Sequence, residues 1–149
     1  MNFITEFFSN KIISATLLSW LVAQILKTIL VIITSKTLDF TRLVGSGGMP
    51  SSHSSLVSTL VIMTARIEGI SSTAFAVSFA LALIVMYDAA NVRKEAGEHA
   101  RIINILIEEW VEKENLKMDK DLKELLGHTT FEVIIGAILG CLIGGFFPI

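Results

Sequence analysis

The chain has 149 residues, 52% of them hydrophobic, with a mean hydropathy of +0.68 and a formal net charge of −2. That length bounds it to one domain, the apolar excess excludes an ordinary soluble globule, and the charge balance gives no electrostatic case for a nucleic-acid partner. Charged residues crowd into 93–124 and thin out elsewhere, the pattern of membrane spans joined by one large polar loop.

Met1–Asn10 reads as a short interfacial lead-in, with Phe3, Phe7 and Phe8 at the membrane surface. The apolar stretch behind it is too long for a signal peptide and shows no clear small-residue cleavage site. A first span covers 12–34 and is interrupted by Gln24 and Lys27, three residues apart and therefore on one helix face. A lysine inside a span must snorkel, pair or line a polar cavity; the functional reading is that Gln24 and Lys27 face a site between helices.

A loop over 35–50 carries Lys36, Asp39 and Arg42 ahead of Gly45-Ser46-Gly47-Gly48-Met49-Pro50. Glycines let a backbone bend closely around a ligand. The serines that follow, Ser51 and Ser52, are good N-cap residues, and His53 falls in the first turn of the second span, 52–67. A glycine loop ahead of a helix N-terminus offers N–H groups and a favourable dipole to an anion, phosphate above all. The bland alternative is a loop, a cap and an incidental histidine.

The third span, 73–90, ends in Tyr87-Asp88-Ala89-Ala90-Asn91-Val92-Arg93. The polar loop over 91–127 is periodic in its first part: Ile103, Leu106, Ile107 and Trp110 follow the spacing of an amphipathic helix, which either continues the third span or lies on the membrane. Gly127-His128-Thr129-Thr130-Phe131-Glu132 opens the fourth span, 129–146, along which Gly136, Gly140 and Gly144 recur every four residues. Such a small-residue stripe suits close packing within the bundle or between subunits, and a homo-oligomer packed through it is expected. Cys141 cannot form an internal disulfide and reads as a packing residue.

The expected fold is thus an all-α polytopic membrane bundle of about four transmembrane helices plus an amphipathic cytoplasmic helix. The first and third loops carry nine Lys or Arg and the opposite face two, Lys11 and Arg66, which puts the two large loops in the cytoplasm. Four spans then bring His53, Asp88, Arg93, His128 and Glu132, with Lys27, to one membrane face from four separate helices. Chance placement would scatter these groups over both faces.

Two histidines suit a two-step phosphoryl transfer, one attacking phosphorus and the other protonating the leaving oxygen. Glu132, one turn after His128, can hold one ring nitrogen and leave the other free to attack. Lys27 and Arg93 suit a phosphate, so the mechanism needs no metal and no cofactor. A divalent ion on His53, Asp88, His128 and Glu132 is the competing reading, without tight ligand spacing behind it.

Pro50-Ser51-Ser52-His53 resembles the Pro-Ser-Gly-His motif of the type 2 phosphatidic acid phosphatases, relatives of the vanadium-dependent haloperoxidases. His128 and Glu132 resemble that superfamily's His-x-x-x-Asp. Nearly the whole chain is similar to a small divergent bacterial and plant branch, through Gln24–Lys27, Gly47–Ser54, Tyr87–Arg93 and Gly127–Val133. The resemblance implies a phosphatase for lipid phosphates or diphosphates, with His128 as nucleophile, Glu132 as its orienting partner and His53 as the acid. It implies phosphate contacts from Ser51, Lys27 and Arg93, to which Gly48, Ser52, Asp88 and Gln24 are added as neighbours. The chain departs from the superfamily at Ser52 and Glu132, at Leu122 where an arginine is usual, and in lacking the first, lysine-to-arginine motif. Those losses support a rival class, non-catalytic binding or transport of a phosphorylated lipid or anion; the retained His53, His128 and Glu132 support the enzyme.

Overall fold

The computed structural model describes residues 2–35, 48–114 and 128–149. Among them the secondary structure is helical throughout: α1 Phe3–Ser9, α2 Lys11–Ser35, α3 Ser52–Glu68, α4 Thr73–Tyr87, a π-helical segment Asp88–Val92, α5 Arg93–Glu114 and α6 Thr130–Phe146. The starts of three helices follow from local chemistry. Ser51 caps α3, Ser72 caps α4 through a 3.1 Å bond from the Phe75 amide, and Thr129 caps α6. Gly69 ends α3 with φ of 84°.

Helix α3 is the centre of the bundle, packed against α2, α4 and α6, while α2 and α6 also touch each other. This places the most polar of the four helices inside. Ser51, Ser52, Ser54, Ser55, Ser58, Thr59 and Thr64 are buried, whereas Leu21, Ile33, Val77, Ile84, Ile134 and Leu142 are exposed. Small hydroxyl residues inside and large aliphatic ones outside is the distribution of a bundle solvated by lipid, where helices associate through close backbone approach and interhelical hydrogen bonds. Among the described residues two helices are long and apolar enough to cross a membrane, Lys11–Ile33 and Thr73–Glu108.

Two ladders of period four set the approach. On α6, a Cβ at Gly136 would overlap the Ser51 carbonyl, and one at Gly140 the Ser55 carbonyl; one at Gly144 would come within 3.0 Å of Ile62. The glycine stripe packs within the chain against α3, one of the two packings expected of it. On α2, Ala15, Ser19, Ala23 and Lys27 form the buried edge. The ladders are pinned by hydrogen bonds: Ser19 Oγ to Ser55 Oγ at 2.7 Å, and Thr59 Oγ1 donating to the Gly140 carbonyl at 2.9 Å. At the far end Arg66 donates to the carbonyls of Gly144 and Phe147 at 2.6 and 2.9 Å, closing the α6 C-terminus.

The helix that begins at Thr73 does not stop near residue 90. It passes through the π-helical segment directly into α5, so the amphipathic stretch continues the preceding helix. Arg42, Leu122 and the first glycines of the loop, Gly45 and Gly47, lie outside the described residues.

Candidate functional site

The site is built where α3 begins and α2 and α6 extend beyond it. Helix α6 is entered through a capping box: Glu132 N–H donates to Thr129 Oγ1 at 3.3 Å, and the Glu132 carboxylate accepts the Thr129 amide at 2.8 Å. That same carboxylate oxygen lies 3.3 Å from Nδ1 of His128. The His128 ring is 2% exposed, and its backbone amide donates to the carbonyl of Ala89 in the π-helical segment at 3.2 Å. The imidazole is thus held from its backbone and from one ring nitrogen. With the proton on Nδ1, Nε2 carries the lone pair.

Helix α3 is fastened to the same place. The Ser51 amide donates to the Glu132 carbonyl at 3.1 Å, and Ser51 Oγ accepts from the Ser54 amide at 3.4 Å and from the Ser54 hydroxyl at 3.0 Å. Part of the expected donor set at this N-terminus is therefore committed within the protein: the Ser51 amide serves α6. Gly48, with φ of 84°, lies on the stem of Lys27, where an added Cβ would stand 3.5 Å from Cγ. A positive φ is open to glycine at little cost, so Gly48 lets the chain cover Lys27 on its way into α3. Lys27 is 3% exposed, within electrostatic range of the Glu132 carboxylate. Burial this complete sets aside the snorkelling alternative.

The structure thus brings Lys27, Gly48, Ser51, His128 and Glu132 together. Ser52 is buried beside them at the start of α3, and Gln24 is half-buried one turn before Lys27. Asp88 is half-buried in the π-helical segment, next to the Ala89 carbonyl that takes the His128 amide. Arg93 opens α5, and its side chain lies outside the described part of the structure. His53 is placed differently: it is exposed, about 200° around α3 from the Ser51 edge that faces α6. Among the described residues no three His, Cys, Asp or Glu side chains converge to hold a metal ion.

Two contributors escaped the sequence reading. Thr129 fixes Glu132, and its signal was present as Thr-x-x-Glu ahead of an apolar run. The Ala89 carbonyl had no such signal.

Apolar helices with large aliphatic side chains on the outside define a helical membrane protein, and the capped His128–Glu132 contact, with Lys27 in electrostatic range of Glu132, marks its candidate site. The Divergent PAP2 family model matches residues 8–143, and the chain belongs to that family. It is 38% identical over 148 residues to the uncharacterized membrane protein YuiD of Bacillus subtilis (strain 168), covering 93% of this chain and 94% of the relative. No solved structure matches.

Proposed function

We propose that this chain is a multi-pass membrane phosphatase that hydrolyses a lipid-linked phosphate or diphosphate through His128. The observation that carries the reading is the buried His128 imidazole 3.3 Å from the half-buried Glu132 carboxylate, with Lys27 in electrostatic range of that carboxylate. Glu132 holds Nδ1–H, and Nε2 attacks phosphorus. The bond from phosphorus to the lipid oxygen breaks as that oxygen takes a proton, the role assigned to His53. Water then attacks the phosphohistidine, releasing phosphate and restoring His128. Lys27 and Arg93 supply positive charge for the phosphoryl oxygens. The Ser51 hydroxyl, which accepts from Ser54, keeps its own hydrogen to donate to one of them. The charge bias of the loops supports a site at the cytoplasmic boundary of the cell membrane, where the tail would stay in lipid while the head group meets the histidines.

The exposed position of His53 favours a second reading, in which the anion site binds or moves a phosphorylated lipid without cleaving it. Phosphate release from a panel of lipid phosphates by purified protein in detergent with chelator separates the two. The enzyme reading expects release that His128→Ala abolishes and that His53→Ala lowers steeply. Binding of the same lipids without release, in protein of native stability, would sink it.

A further inference from the structure

The helix register places Lys27 and Glu132 at one level, above the point where α3 begins. Ser19 on α2 touches Ser55 on α3, and the Ser55 carbonyl lies against Gly140 on α6. These three residues mark one layer of the bundle. Lys27 lies eight residues beyond Ser19 along α2, and Glu132 eight residues before Gly140 on α6, which runs the opposite way. Each stands about 12 Å above that layer, at 1.5 Å per residue. Helix α3 would need residue 47 to reach the same height, but it starts at Ser52 with Ser51 as its cap. The layer between holds Ala23, Ser51 and Gly136, and there the three helices are in contact. One turn higher α3 has not yet begun, and Lys27 and Glu132 stand at that level of α2 and α6, with Gly48 against the Lys27 stem.

We infer that Lys27 is the counter-charge of Glu132, a positioning residue that completes a Lys27–Glu132–His128 chain across α2 and α6. A buried ammonium is stabilised beside a negative charge, and the Glu132 carboxylate, at the same level of the bundle, acts on it. One oxygen of Glu132 takes the Thr129 amide and faces His128 Nδ1. The ammonium faces that carboxylate and holds it in place between α2 and α6. A carboxylate held against Nδ1 accepts its hydrogen and leaves the lone pair on Nε2. In this role Lys27 acts on the histidine through Glu132, besides any contact with substrate.

The test is a double-variant cycle read by thermal unfolding of the purified protein in detergent, which needs no activity. Glu132→Gln leaves the buried Lys27 without this counter-charge and Lys27→Met leaves the half-buried Glu132 without it, and each is expected to lower the unfolding temperature. The double variant removes both charges and is expected to unfold at a higher temperature than Glu132→Gln alone. A double variant whose loss equals the sum of the two single losses overturns the pair. Should Glu132→Gln fail to fold, a folded double variant is the predicted recovery, and a double variant that also fails counts against it. The kinetic arm rests on the phosphatase reading: Lys27→Met is expected to lower kcat as Glu132→Gln does, with KM changed less than twofold. A raised KM with kcat retained would make Lys27 a phosphate ligand only. If wild type releases no phosphate, the phosphatase reading fails, and the unfolding cycle still decides the pair.

Discussion

Gly136 lies so close to Ser51 that a methyl group on the glycine would overlap the serine carbonyl. Ser51 also donates its amide to the carbonyl of Glu132, one turn before Gly136 on the same helix. The spacing of α3 and α6 at the site is therefore set by a hydrogen in place of a side chain. Gly136→Ala must push the two backbones apart, and overpacking of this kind costs about 1–3 kcal/mol. We expect a lower unfolding temperature in detergent and loss of any phosphate release, since the shift moves Ser51 away from Glu132. Gly145→Ala is the control: a Cβ there meets nothing within 4 Å, and on this helix it should be neutral or slightly stabilising.

Thr129 offers a prediction confined to one end of α6. Its hydroxyl takes the Glu132 amide, and its own amide binds the Glu132 carboxylate. Thr129→Val removes the first bond and leaves the second, at a cost of about 1 kcal/mol for a lost cap. Thr129→Ser should restore most of it. The same pair of variants, assayed for phosphate release, should show a loss with valine and recovery with serine. Equal activity in both would mean that Glu132 is held without the cap.

Much of this arrangement was legible in the chain. Hydropathy marked the apolar helices, the four-residue glycine period marked a close-packed edge, and His128 and Glu132 stood one turn apart. Lys27 belongs to a period as well, since Ala15, Ser19 and Ala23 precede it at four-residue steps. The position of His53 was not legible. A helix start fixes the angle between Ser51 and His53 and does not say which of them faces inward. That choice is made by Gly136 and Gly140, some eighty residues away in the sequence, which admit the Ser51–Ser55 edge and turn His53 outward. The passage from α4 into α5 was likewise open, because both a surface helix and a continuing one present the same periodicity.

The hydroxyl pair between α2 and α3 separates the worth of a hydrogen bond from that of burial. Ser19 and Ser55 are both fully buried and meet at 2.7 Å. Removing one hydroxyl leaves the other without that partner, at a cost of about 1–3 kcal/mol, whereas removing both can be nearly neutral. Ser19→Ala and Ser55→Ala should each lower the unfolding temperature, and the double variant should recover part of the loss. Additive losses would show that each hydroxyl has a second acceptor of equal value.

Arg66 tests whether the two ends of the bundle are independent. It donates to the Gly144 and Phe147 carbonyls, where α6 ends and has no further turn to satisfy them. The bond to Gly144 is part-buried and the bond to Phe147 is exposed, so their joint loss in Arg66→Ala should cost about 1 kcal/mol. Gly144 and Phe147 lie twelve and fifteen residues after Glu132, which at 1.5 Å per residue puts this contact about 20 Å from it. Arg66→Ala should therefore lower the unfolding temperature modestly and leave phosphate release at the wild-type rate when assayed well below it. A variant that loses release while still folded would show that the α3–α6 contact acts as a single rigid unit, with slippage at one end moving Ser51 and Glu132 at the other.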